Sequence, residues 1–271
     1  MDTQKDLDSR LEELFEAWFG VMQKNGDNHF TKDGVIYKNH LTKEQSVQEW
    51  LKAEKRVVFL LKDQNQKGIE KWDEDIRYWL KDNEGDDVST LENKRRNRNL
   101  ESSFIKHIAY ILWGVCKAEK EGDWPYEEVV NHEEEVKAFF NTQPFALVEC
   151  KKRPGGGFLE DSFLKQHLWD YGSYLWREVH NILQPNIIVC TGQPIYDFVL
   201  KRFPKGELKT IAGHNSIRYH KPSGTIILFT YHPGVFGANA GKSSYLSAMD
   251  HFWAFLKSDY SKTKLQNHEF I

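Results

Sequence analysis

Two apolar stretches of this chain run straight into residues able to do chemistry. Val57-Val58-Phe59-Leu60-Leu61 is followed at once by Lys62-Asp63-Gln64-Asn65, and Thr225 to Thr230 by Tyr231-His232-Pro233-Gly234. A carboxylate and an imidazole are the residue types of proton transfer. Short apolar runs rich in β-branched and aromatic residues read as strands buried on both faces of a parallel sheet. In open α/β sheets the ligand crevice lies beyond the carboxyl ends of the strands, which is where both groups fall. Phe145 to Cys150 and Asn186 to Cys190 repeat the pattern. The first of these ends in Lys151-Lys152-Arg153-Pro154-Gly155-Gly156-Gly157, a turn whose glycines let backbone approach a ligand closely.

The elements that must position these groups follow from periodicity. Asp6 to Lys24 has apolar residues at helical spacing and stops at Asn25-Gly26, and a second helix is expected over Lys43 to Lys55. The sequence between them, Asn28 to His40, reads as an irregular or hairpin connection around Asp33-Gly34. Further helices are predicted at Trp72 to Leu80, Leu100 to Glu119, Tyr126 to Phe140, Asp161 to Leu183, Pro194 to Arg202 and Ser243 to Leu256, with an extra strand over Ile211 to Tyr219. Lys81 to Asn99 is charged and almost devoid of apolar residues, and reads as an exposed loop. The order predicts one α/β domain over residues 1–271, a three-layer α/β/α sandwich around a mostly parallel sheet, with residues 1–55 as a helical extension packed on it.

Composition narrows the function classes. The chain has 271 residues, of which 39% are hydrophobic, enough for a substantial core. No apolar run reaches the roughly 20 residues of a membrane span, and the opening residues lack a signal-peptide pattern, so a cytoplasmic protein with no membrane partner is expected. The three cysteines, Cys116, Cys150 and Cys190, are far apart and suit core thiols, with no spacing for zinc or an iron-sulfur cluster. We therefore expect no metal, no cofactor and a monomer. A net charge of −3 excludes a strongly basic protein that coats nucleic acid, although basic clusters occur at Lys94-Arg95-Arg96, Lys151-Lys152-Arg153 and elsewhere.

Gly237 to Ser244 lies between a strand and a helix as a phosphate-binding P-loop does, but Phe236 stands where the first glycine is required. Gly241 and Lys242 at a helix start could still hold a phosphate. No HExxH, GxSxG or GxGxxG motif occurs.

In order and spacing, Val57 to Leu256 resembles the uracil-DNA glycosylase superfamily. Val57 to Asn65 is similar to its first motif, an apolar strand and polar turn holding the water-activating residue. Tyr231-His232-Pro233-Gly234 is similar to its second motif, histidine-proline and a small residue after the last strand. The turn Lys151 to Gly155 and the step Gln184 to Gly192 resemble the corresponding segments between them. The resemblance implies a DNA N-glycosylase active in DNA repair. Asp63 would position or deprotonate water at the sugar, and His232 would donate to the departing base. Lys62, Gln64, Asn65, Glu149, Lys151, Lys152, Arg153, Gly155, Tyr231, Gly234 and Lys242 would contact substrate. Such enzymes flip the base out of the stack, and Trp72, Tyr78, Trp79, Phe158 and Tyr231 are aromatic residues that could hold it. Glu149 stands where an asparagine-type base reader would be, so bases presenting N–H groups are expected over uracil. Gly234 replaces the more usual serine. Two alternatives stay open: a non-catalytic module gripping phosphates through Lys94, Arg95, Arg96, Lys152 and Arg153, and a binder of free nucleosides or nucleotides.

Overall fold

The computed structural model describes residues 6–63, 75–121, 123–153, 160–234 and 240–261. Gln64, Asn65, Gly155, Trp72 and Phe158 lie outside the described residues. The chain divides into two compact units, Met1–Lys94 with Pro144–Pro185, and Arg95–Gln143 with Asn186–Ile271.

The first unit opens with helix α1 (Leu7–Lys24), whose start is set by the Asp6 carboxylate accepting from the Ser9 N–H at 2.8 Å. Its buried stripe is Leu7, Leu11, Leu14, Phe15, Trp18 and Met22. Strand β1 (Gly34–Val35) follows, then helix α2 (Lys43–Lys52), closed at its start by a reciprocal Thr42–Gln45 capping box. Strands β2 (Val57–Leu61) and β3 (Ala146–Glu149) are parallel and buried at every position, with Leu61 opposite Glu149, while β1 pairs antiparallel on the far side of β3. Ile76–Tyr78 is a single 3-10 turn, shorter than the helix expected there. Helix α7 (Asp161–Trp176) continues as a π-helical turn over Arg177–Leu183 and ends at Gln184, which is left-handed at φ 48° and precedes Pro185.

Helix α3 (Val88–Arg98) corrects the loop expected over Lys81 to Asn99. Polar contacts rather than an apolar face fix it: Asp87 Oδ1 accepts from the Thr90 N–H at 2.7 Å, and the buried Lys94 ammonium lies 2.6 Å from Asp86. Leu100, left-handed at φ 57° and fully buried, stops it.

The second unit contains helix α4 (Ser103–Glu121), then α5 (Tyr126–Asn131) and α6 (Glu133–Thr142), which break at His132 where one helix was expected. Strands β4 (Ile187–Thr191) and β7 (Thr225–Thr230) are parallel, with Thr191 opposite Thr230. Strands β6 (His214–His220) and β5 (Leu208–Ile211) extend the sheet antiparallel beyond β7. Helices α8 (Gln193–Leu200) and α9 (Ala240–Leu256) pack on it. The α/β class is as expected. The pairing is mixed rather than mostly parallel, because two-residue β1 and the partly exposed β5 carry too little apolar pattern to announce antiparallel edges.

Candidate functional site

In the first unit the parallel pairing of β2 and β3 runs past the strands themselves. The Cys150 N–H donates to Leu61 O at 2.9 Å and the Lys151 N–H to Lys62 O at 3.0 Å, which carries Asp63 alongside Lys151. Lys151 Nζ then donates to Asp63 Oδ2 at 2.9 Å and to Arg153 O at 2.9 Å. Only 8% of the Asp63 side chain and 14% of that of Lys151 are exposed. Burial raises the Asp63 carboxyl above its ordinary range, and the Lys151 and Lys62 ammoniums oppose the rise without cancelling it. Lys62 Nζ reaches Asp161 Oδ1 at 3.2 Å, at the first residue of α7. Asp63, Lys62 and Lys151 thus form one cluster at the strand ends.

Their neighbours turn the other way. Lys152 is fully buried and its ammonium is shared between Asp33 and Glu178, whose side chains are also fully buried, with Glu178 Oε2 at 2.8 Å. Phe15 and Trp18 cover the cation at 5.3 and 5.2 Å from their ring centres. Burial, with Asp33 beside it, drives the Glu178 carboxyl well above the carboxylate range, while pairing with Asp33 and Glu178 raises the Lys152 ammonium against its own burial. Holding the three ionisable groups together keeps charge among them paired in the interior. Lys152 is therefore a structural cation and not the phosphate contact expected from sequence. Glu149 is 2% exposed, and its backbone N–H donates to Asp33 Oδ2 at 2.6 Å. Arg153 sits at the surface on Asp27 at 2.6 Å.

His167 of α7 is a half-buried imidazole missed in the sequence because it reads as one more residue of an apolar helix face. Burial and the Lys151 and Lys152 ammoniums push it down to about 3, so it is neutral at physiological pH.

In the second unit the turn after β7 fixes His232. The Gly234 N–H donates to His232 Nδ1 at 3.1 Å, so a neutral His232 carries its proton on Nε2. A Cβ at position 234 would lie 3.2 Å from Nδ1, a crowding that glycine spares and the serine of the resembled motif would impose. Phe104 of α4 lies against the His232 ring, with centroids 5.7 Å apart. Tyr231 is 53% exposed and edge-on to Phe229, so it is presented to solvent rather than packed as core. Lys242 pairs with Glu127, and its neighbour Gly241 lies under the His107 ring, so imidazole covers the helix start read as a phosphate seat. Tyr78 packs edge-on to Tyr37 at 4.8 Å, a packing role. No group of three or more metal-ligating side chains occurs among the described residues, and no described helix is long and apolar enough to cross a membrane.

No protein-family model matches this chain, and no curated protein is significantly similar to it.

Proposed function

We propose that the protein hydrolyses the N-glycosidic bond of a damaged or modified base in DNA, as a glycosylase resembling the uracil-DNA glycosylase superfamily on a three-layer α/β/α sandwich. The observation that carries this reading is the Gly234 N–H on His232 Nδ1. It leaves the neutral imidazole with an N–H at Nε2, the donor that a base leaving with its electron pair requires at an exocyclic carbonyl oxygen. In this reading Asp63 has the second chemical role. A carboxyl raised by burial and aimed by Lys151 is suited to take a proton from water as its oxygen bonds to C1′ and the C1′–N bond breaks. The products are the free base and an abasic sugar.

The phosphate-gripping alternative has less support. Of its five cations, Lys94 pairs with Asp86, Arg96 with Glu101, Lys152 with Asp33 and Glu178, and Arg153 with Asp27.

The test is a panel of single-stranded and duplex oligonucleotides carrying uracil, hypoxanthine, xanthine or alkylated bases, treated with alkali to cleave abasic sites. Wild-type protein should release at least one base. Asp63→Asn should lower release by ~100-fold or more while still binding the same oligonucleotide. Wild-type protein that yields no abasic product across the panel, or an Asp63→Asn variant with unchanged release, overturns the proposal.

A further inference from the structure

One imidazole outside the sequence motifs is built into the His232 turn. His107, on α4, places Nδ1 2.6 Å from the Pro233 carbonyl oxygen. A carbonyl only accepts, so His107 Nδ1 carries the proton and donates. That carbonyl belongs to the same peptide unit as the Gly234 N–H, which donates to His232 Nδ1 at 3.1 Å. A trans peptide is planar, with its C=O and N–H pointing in opposite directions. Fixing the oxygen therefore fixes where the hydrogen points. The chain of contacts runs from the His107 N–H, through one peptide plane, to His232 Nδ1, and each hydrogen bond polarises the next.

The seat of His107 is equally specific. A Cβ at Gly241, at the start of α9, would fall 2.1 Å from His107 Nε2 and 2.5 Å from Cδ2, so the ring occupies space that only glycine leaves. Proline at 233 has no N–H of its own, so its carbonyl is the polar backbone group that this residue offers to His107. Ser244 Oγ on His232 O is longer, at 3.4 Å.

We propose that His107 is the positioning residue of His232, acting through the Pro233–Gly234 peptide to hold the Nε2–H tautomer and the aim of that ring. The inference rests on His232 serving as the leaving-base donor. It adds a residue that touches neither base nor sugar and that reads, in the sequence, as part of an apolar helix.

Three variants and two readouts test it. His107→Phe keeps ring volume and removes the donor. His107→Asn keeps an N–H at the δ position. Gly241→Ala leaves His107 in the chain but takes its seat. On whichever base the oligonucleotide panel identifies, His107→Phe and Gly241→Ala should lower kcat ~10- to 100-fold with KM unchanged, and His107→Asn should recover most of the loss. Independently of activity, long-range 15N–1H correlation spectra of the imidazoles should show His232 as the Nε2–H tautomer in wild type and His107→Asn, and as a tautomer mixture in the other two. Wild-type kcat and an unchanged His232 tautomer in His107→Phe overturn the inference, as does a Gly241→Ala variant indistinguishable from wild type. If His107→Phe does not fold, His107→Asn and Gly241→Ala decide the question. If wild-type protein releases no base, the functional reading fails by that result, and the spectra still decide whether His107 sets His232.

Discussion

Replacing Glu178 by glutamine isolates the electrostatics of the buried cluster beneath the strand ends. Its side chain is fully buried, 2.8 Å from Lys152 Nζ and beside Asp33, and in the folded protein it keeps its proton well above the ordinary value of 4.5. The unfolded chain releases that proton near 4.5. Above this pH the folded state binds one proton more than the unfolded state, so stability falls as pH rises, by about 1.4 kcal/mol per pH unit. The contribution is complete below 4.5 and lost as pH climbs through the raised folded value. Lys152 does not titrate in this window, because its folded value is raised above an already high 10.5. Glutamine supplies an amide N–H toward Asp33 where the acid has O–H, and a carbonyl toward Lys152, but it cannot ionise. Glu178→Gln should therefore match wild type near pH 4 and gain on it by about 1.4 kcal/mol per unit above 4.5, or ~2–4 °C in Tm per kcal/mol. Urea unfolding at half-unit steps from pH 4 to 8, followed by circular dichroism, measures the difference. The control is Lys152→Met, which strands two buried acids and should cost about 3–5 kcal/mol at pH 7. Parallel stability curves for Glu178→Gln and wild type, or a glutamine variant less stable at pH 7, would mean that Glu178 is ionised and would refute the reasoning.

Lys151→Met removes the ammonium that opposes the upward shift of Asp63, so the Asp63 carboxyl should rise further. The acid limb of the base-release rate profile should move to higher pH with the alkaline limb in place; an unmoved acid limb would separate Asp63 from the proton-transfer step. Gly34→Ala should destabilise the first unit by ~1–3 kcal/mol in denaturant titrations, because φ is +127° there and the new Cβ would meet Leu11 Cδ1 at 3.0 Å. A loss under about 0.5 kcal/mol would show that β1 and α1 adjust to the side chain.

What the sequence makes legible is whatever carries its own apolar period. α1, α4 and the strands β2, β3, β4 and β7 all bury a repeating pattern, and each lies within a few residues of its expected place. α3 was hidden because its stability comes from Asp87 at its start and a Lys94–Asp86 ion pair, neither of which leaves an apolar stripe. The candidate residues of each unit show the same division. Asp63 and His232 are visible because they follow strands. Asp33 and Glu178 are not, since their meeting with Lys152 joins positions 119 residues apart in one case and depends on a helix face that reads as apolar. His107 was invisible for a related reason: its partner, the Pro233 carbonyl, is 126 residues away and is a backbone atom with no sequence signature.

The three consecutive cations Lys151, Lys152 and Arg153 show why adjacency misleads. As a run they suggest one phosphate-binding patch. Past the end of β3, however, Lys151 turns to Asp63, Lys152 to the interior acids and Arg153 to surface Asp27. The energetic consequences differ as much as the directions. The Lys152 contacts have no exposure, so withdrawing the ammonium toward a phosphate would leave buried acids unpaired. Arg153 is 56% exposed, and a surface pair of that kind is worth about 0–1 kcal/mol, so it can exchange Asp27 for a phosphate at little cost. Arg96, 52% exposed on Glu101, is in the same position. Among the paired cations of these runs, Arg153 and Arg96 are thus the ones whose charge can be offered to a polyanion at little cost. Lys151 instead pairs with the largely buried Asp63 carboxylate, which in the proposed reaction it would orient.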